Sequence, residues 1–175
     1  MLNNITFAGG FEFHAIEWGK RVWVSADDAC HTFEIDNADG MADISPEETA
    51  TFTSGADRIT VNLISESALY SLMLTSDKPK AKPFRKWVTS EVLPSISKNG
   101  IYFAPSIAAL AVESPANFTA KVLSIGLTNN LTAVTGSEDQ AFEEWVTSEV
   151  LPSIRKMGGY VTPEMAAAAS KPFPE

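Results

Sequence analysis

Phe84-Arg-Lys-Trp-Val-Thr-Ser-Glu-Val-Leu-Pro-Ser-Ile-Ser-Lys-Asn-Gly-Ile-Tyr102 returns 58 residues later as Phe142-Glu-Glu-Trp-Val-Thr-Ser-Glu-Val-Leu-Pro-Ser-Ile-Arg-Lys-Met-Gly-Gly-Tyr160. Fourteen of the nineteen positions are identical, and Trp87 to Ile96 matches Trp145 to Ile154 without a change. Two copies are too few for a solenoid, so the pattern describes a duplicated helical unit. Phe84, Trp87, Val88 and Val92 fall at helical intervals, which leaves Arg85, Lys86 and Ser90 on the other side. Pro94 disfavours helical geometry at Leu93 and suits the first position of a second short helix. Gly100 suits the left-handed position past a helix end. Each copy therefore reads as a helix, a proline-marked bend, a short helix and a glycine stop.

Before the first copy, the chain reads as strands and then helices. Ile5-Thr-Phe7, the alternating run from Phe11 to Ile16, and Arg21-Val-Trp-Val24 are three strands of an antiparallel meander, turned at Gly9-Gly10 and at Trp18-Gly19-Lys20. His14 falls on the face of Glu12 and is expected to be an exposed or satisfied strand histidine with no catalytic role. Ser25 is placed to cap a helix running to about Phe33, with Asp27 and Asp28 near its positive end. Asp27 and His31 share one face of that helix, and Cys30 is expected to be a small buried thiol. Residues 35–57 read as loop, and Asp36-x-x-Asp39-Gly40 lacks the alternating oxygens and closing Glu of a calcium loop. Ile59 to Ile64 is a β-branched strand, and Ser65-Glu66 caps a helix to Leu74 that buries Leu69, Leu72 and Met73.

Between the copies, Leu123, Leu127, Leu131 and Val134 form an apolar helical stripe, 58 residues beyond the helix of Leu69. The duplicated unit is therefore expected to include a preceding helix. After Tyr160, Pro163 suits the first position of a last helix, and Ser170 to Glu175 looks frayed. The expected architecture is α+β: a small antiparallel β meander packed with helices, then an α-helical extension containing the duplicated helix-bend-helix unit.

Apolar residues make up 45% of the 175 and charged residues 20%, ordinary values for a globular protein. No apolar run approaches the roughly 20 residues of a membrane span. Met1-Leu-Asn-Asn lacks the features of a signal peptide, and a reducing cytosol is the expected location. One cysteine and two histidines exclude a disulfide framework and a dense metal-ligand cluster, so neither a metal nor another cofactor is expected. The net charge of −9 opposes nonspecific coating of nucleic acid. Its distribution is uneven: residues 1–60 carry −8, residues 61–104 carry +3 and residues 105–175 carry −4. One basic island, Lys78, Lys80, Lys82, Arg85 and Lys86, leads into the first copy.

The order of Arg21-Val-Trp-Val-Ser-Ala-Asp-Asp-Ala-Cys30, then Leu63-Ile-Ser-Glu-Ser-Ala-Leu-Tyr70, then Lys80-Ala-Lys-Pro-Phe-Arg-Lys-Trp-Val-Thr-Ser-Glu-Val-Leu-Pro-Ser-Ile96 resembles the Bro-N domain, the N-terminal domain of baculovirus BRO proteins and of many phage antirepressors. The resemblance covers about residues 3–104 and divides the chain into a Bro-N-like domain, 1–104, and a helical extension, 105–175, carrying the second copy at 142–160. It implies a small α+β domain, a phage or prophage origin, and a non-enzymatic role in binding DNA or a repressor. Ala68 stands where the family's Gly is expected. Ser97, Asn99 and Ile101 replace a basic, glycine-rich ending that the second copy keeps as Arg155-Lys156-Met-Gly158-Gly159-Tyr160.

No nucleophile–base pair or phosphate-cradling glycine loop emerges, and no enzyme is expected. Two functions are. An antirepressor-like regulator would bind and inactivate a repressor or another host or phage protein, using the basic island and, in the second copy, Glu143, Glu144, Arg155 and Lys156. A sequence-specific DNA-binding regulator would use the island 78–86 on double-stranded DNA. Arg85 and Lys86 become Glu143 and Glu144 while their apolar neighbours stay fixed, so charge on this face is a surface choice. The opposite charges predict that the copies pack together, within a chain or in a homo-oligomer.

Overall fold

Alternation of apolar and polar side chains turns the N-terminal segment into a sheet, because residues two apart share a face. In the computed structural model, which describes residues 2–7, 10–19, 21–35, 41–42, 44–53, 58–129 and 138–169, β1 (Asn3–Thr6), β2 (Glu12–Trp18) and β3 (Arg21–Ser25) follow one another antiparallel. Then come α1 (Ala26–Phe33), a short 3₁₀ turn (Pro46–Glu48), β4 (Thr49–Thr53), β5 (Thr60–Ser65) and α2 (Glu66–Thr75). The five strands form one antiparallel sheet in the order β1-β2-β3-β5-β4. Two compact units result, Met1–Lys86 and Trp87–Glu175.

In the first unit the inward positions of β2 and β3, Phe13, Ala15, Val22 and Val24, are buried with Leu63 and Ile64 of β5. Ser25 caps α1 by accepting from the Asp28 N–H at 3.3 Å, and Glu34 ends that helix in the left-handed region with φ 56°. Ser65 caps α2 in the same way, accepting from the Ala68 N–H at 3.0 Å. Leu69 and Met73 are buried as the helical spacing predicts, while Leu72 is half-buried and Tyr70 fully buried. An aromatic cluster fills the centre: Phe13 lies 5.9 Å from Phe33, and Tyr70 stacks on Phe84 at 6.0 Å with the rings 5° apart.

The expected loop over 35–57 is corrected by β4. Thr49-Ala-Thr-Phe-Thr53 pairs residue for residue with β5 from Thr53–Thr60 to Thr49–Ile64. Its β-branched and aromatic residues favour a strand, but turn-forming residues on both sides mask so short a run. His14 is an exposed strand histidine whose Nδ1 lies 2.6 Å from Asp28 Oδ2, and its backbone N–H donates to the same oxygen at 3.1 Å. Cys30 is buried, as expected. Gly9, Lys20, the Asp36–Gly40 segment and Ser54–Asp57 lie outside the described residues.

The second unit is built from the two copies. α3 (Lys82–Trp87) leads into a π-helical turn (Val88–Val92), α4 (Leu93–Asn99), β6 (Ile101–Phe103) and α5 (Pro105–Glu113). After α6 (Pro115–Asn129), the same series returns as α7 (Glu138–Trp145), a π turn (Val146–Val150), α8 (Leu151–Met157), β7 (Gly159–Val161) and α9 (Pro163–Ala169). The proline bend is corrected: Leu93 is helical, with φ −63° and ψ −43°, and its N–H reaches back to the Val88 carbonyl. Leu151 does the same to Val146. A proline inside a helix lacks an N–H and crowds the carbonyl four residues earlier. The wider five-residue turn accommodates both defects, so the helix passes through Pro94 and Pro152 without breaking.

A helix precedes each block, α2 and, 58 residues on, the end of α6, and another helix follows each block. Pro105 and Pro163, 58 apart, both open helices that the sequence comparison stopped short of. In α6 the buried residue is Ile125, packed with Val161 and Ala166, and partly buried Val122 joins them. Leu123, whose stripe reads as core or as a self-association surface, is 36% exposed. Leu131, Val134, the side chain of Leu127 and Ser170–Glu175 lie outside the described residues.

The copies pack on each other within the chain. Val92, Ile96 and Tyr102 share one buried cluster with Val150, Ile154 and Tyr160, flanked by Trp87 and Trp145. β6 and β7 pair antiparallel with Tyr102 opposite Tyr160. The backbone contacts are reciprocal: Ala104 N–H donates to Gly158 O at 2.7 Å, and Thr162 N–H donates to Gly100 O at 2.8 Å. Both glycines are left-handed caps, φ 68° and 79°, and both lie under the other copy's last helix. A Cβ on Gly100 would sit 2.9 Å from Thr162 Oγ1, and one on Gly158 3.0 Å from Ile107 Cδ1. The second compact unit begins at Trp87 and holds this shared core.

Ile96→Ala and Ile154→Ala are each expected to cost about 2–5 kcal/mol, the range for truncating a buried isoleucine. Because both face one cluster, the double variant departs from the sum by about 0.5 kcal/mol or more. Urea unfolding of the four proteins measures both quantities. Additive losses would show two separate cores.

Candidate partner-binding surface

The basic island occupies the turn before α3 and the outer face of that helix. Lys78, Lys80, Lys82 and Lys86 are exposed and Arg85 is half-buried, while Ala81 and Phe84 on the inner side are buried. Arg85 lies 3.3 Å from Asp77, an exposed pair that contributes little to stability in water. Proline at 83 is tolerated because it falls in the first turn of the helix, where N–H groups lack partners.

The equivalent face of α7 carries the opposite charge. Glu143 and Glu144 are exposed, and Arg155 and Lys156 fall in the last turn of α8, where the helix dipole favours cations. The sequence comparison did not anticipate Phe142. Its counterpart Phe84 is 1% exposed against Tyr70, but Phe142 is 52% exposed and stands 5.7 Å from Trp145. With Trp145, Leu93, Pro94 and Ile96 it lines an open apolar groove of about 480 Å³. Retention of the aromatic in both copies was the only signal in the sequence, and it pointed to core.

Each copy also contains a polar trio that the sequence reading passed over. Trp87 Nε1–H donates to Tyr102 Oη at 3.2 Å, and the Tyr102 hydroxyl donates to Glu91 Oε1 at 3.0 Å. Trp145, Tyr160 and Glu149 repeat this at 3.0 and 2.8 Å. All six residues belong to the identical positions of the repeat, which was the available clue. Ser95 and Ser153 donate to the carbonyls of Ile101 and Gly159, at 2.8 and 2.6 Å, tying each short helix to its strand. Burial pushes both tyrosine hydroxyls above the usual range. The tryptophan N–H groups oppose that rise, and the hydrogen bond and negative charge of Glu91 or Glu149 add to it.

Among the described residues, no group of three or more His, Cys, Asp or Glu side chains could hold a metal ion. Nor is any described helix long and apolar enough to cross a membrane. One unit is a five-stranded sheet with helices; in the other, exposed charges differ between the two copies over a common core.

Residues 12–94 match the model of the BRO family, N-terminal domain; the chain carries a Bro-N domain. It is 36% identical over 85 residues to an uncharacterised protein of Haemophilus influenzae, an alignment covering 46% of this chain and 42% of that one. It is 46% identical over 50 residues to 289L of Invertebrate iridescent virus 6, named as a Bro-N domain-containing protein, covering 29% of this chain and 12% of that one. The chain thus spans less than half the length of either relative. No solved structure matches it.

The two tyrosines make a pH prediction. Their hydroxyls are harder to ionise folded than unfolded, so the unfolded state releases protons first as the pH passes about 10. Their contribution is fully present below pH 10 and is lost above it, at up to about 1.4 kcal/mol per pH unit for each tyrosine. Urea unfolding between pH 9 and 11.5 measures the slope. In Tyr102→Phe/Tyr160→Phe the slope is expected to flatten, with a fixed loss of about 1–3 kcal/mol per residue from the unsatisfied Trp and Glu groups. An unchanged slope would mean that the ionisation of these hydroxyls is not linked to folding.

Proposed function

We propose that this protein is an antirepressor-like regulator of phage or prophage type, not an enzyme, that binds and inactivates a repressor or another host or phage protein. The observation that carries this is the recharged face: Phe142 stays aromatic but lies exposed, and the two cations after its counterpart become Glu143 and Glu144. An exposed aromatic groove on one side of α7 and carboxylates on its other side suit a partner that presents both apolar side chains and Lys or Arg, the character of a DNA-reading helix. The net charge of −9 adds long-range attraction to such a partner and repulsion from the DNA it leaves.

Affinity purification from host lysate tests this with three chains. The wild type is expected to recover a stoichiometric DNA-binding protein. Glu143→Lys/Glu144→Lys is expected to weaken that complex by about 30-fold or more, a loss of about 2 kcal/mol, and Arg85→Glu/Lys86→Glu is expected to retain it. Equal recovery by all three chains would overturn the assignment of this face.

A second function is favoured by one specific feature, the five cations within residues 78–86. They suit the phosphates of double-stranded DNA, and binding through them would make the chain a DNA-binding transcriptional regulator. Fluorescence anisotropy with a duplex distinguishes this: affinity would fall steeply with salt and drop in Arg85→Glu/Lys86→Glu. No binding at low salt would remove it.

A further inference from the structure

The two blocks meet as the halves of a symmetric dimer interface meet, each contact answered by its counterpart 58 residues away. One position breaks the symmetry. Ile101 stands opposite Val161, whereas its counterpart Gly159 stands opposite Phe103. A Cβ on Gly159 would lie 2.7 Å from the Tyr102 carbonyl oxygen and 3.1 Å from Phe103 Cε1. The Phe103 ring is held over that position by Phe118 of α6, edge to face at 5.3 Å.

We infer that Phe103 and Gly159 are a knob and hole that make the first block pair with the second block of the same chain and bar it from pairing with the first block of another chain. In a pair of first blocks, Ile101 of each chain would stand where Gly159 stands, against Phe103 of the other. In a pair of second blocks, Gly159 would face Val161 and the filling ring would be absent. Only the mixed pair fits at both positions. The partner that fits this surface of the first block is a block of the Gly159 type, and the chain supplies it in cis.

Thermal unfolding and sedimentation velocity of the full chain test the inference. Gly159→Ile is expected to lower the melting temperature by about 5 °C or more, as overpacking does. It should keep the wild-type mass, because released first blocks cannot pair with one another. Phe103→Val alone also loses stability, since it gives up the Phe118 contact. In Gly159→Ile/Phe103→Val the second position becomes an Ile opposite a Val, as at Ile101–Val161, and the double variant is expected to melt higher than Gly159→Ile alone. That gain, from a substitution harmful by itself, is the signature of a knob and hole. A double variant no more stable than Gly159→Ile would overturn the inference, as would a Gly159→Ile chain that melts like the wild type or doubles in mass.

Discussion

The pairing of β6 with β7 about Tyr102 and Tyr160 is the contact on which the second unit depends. Each strand is only three residues long, and an isolated ladder of that size does not hold in water. It holds here because each strand is anchored three ways. A serine of the preceding helix bonds a strand carbonyl, a tyrosine hydroxyl joins the tryptophan and glutamate of the same copy, and a left-handed glycine lets the other copy's last helix approach.

Duplication inside one chain separates two demands that a single block must meet together. Val92, Ile96 and Tyr102 and their copies Val150, Ile154 and Tyr160 meet in one shared core and are identical between the copies. The exposed half is free to change sign, because a surface charge is solvated whichever sign it carries. The first copy keeps its phenylalanine in the aromatic cluster of the sheet unit, and the second leaves it in an open groove. The same residue thus serves packing in one copy and is available for recognition in the other. The π turns belong to the conserved half: they let proline sit within the helix without breaking it, and both copies retain them.

Much of the first unit was legible in advance. Caps at Ser25 and Ser65, alternation through β2, and the burial of Leu69 and Met73 follow from local rules that the tertiary structure did not override. β4 was not legible, since five residues between turn formers carry too little pattern. Its strand character comes from β5 lying beside it. Of the leucine stripe only Leu123 has a described side chain, and it is partly exposed. Helical spacing offers several faces, and the one that is buried, through Ile125, is chosen by Val161 and Ala166, residues distant in sequence. Of the candidate surface, the charges at 78–86 and 143–144 were readable because they interrupt a repeat. The exposure of Phe142 was not, because an aromatic at a helical core position normally signals burial.

The sequence by itself determined the α+β class, the duplicated block, the Bro-N resemblance and the reversal of charge between copies. All of these lie in residue order, and none requires knowing what touches what. The tertiary structure decided that the copies pair in cis, that proline is absorbed by a π turn, and that Tyr102 and Tyr160 share one core. It also decided that Gly159 leaves room for Phe103. The reason is physical: local pattern specifies which face of an element is apolar, but the surface that covers that face belongs to residues tens of positions away. Only their packing selects among the pairings that the pattern allows.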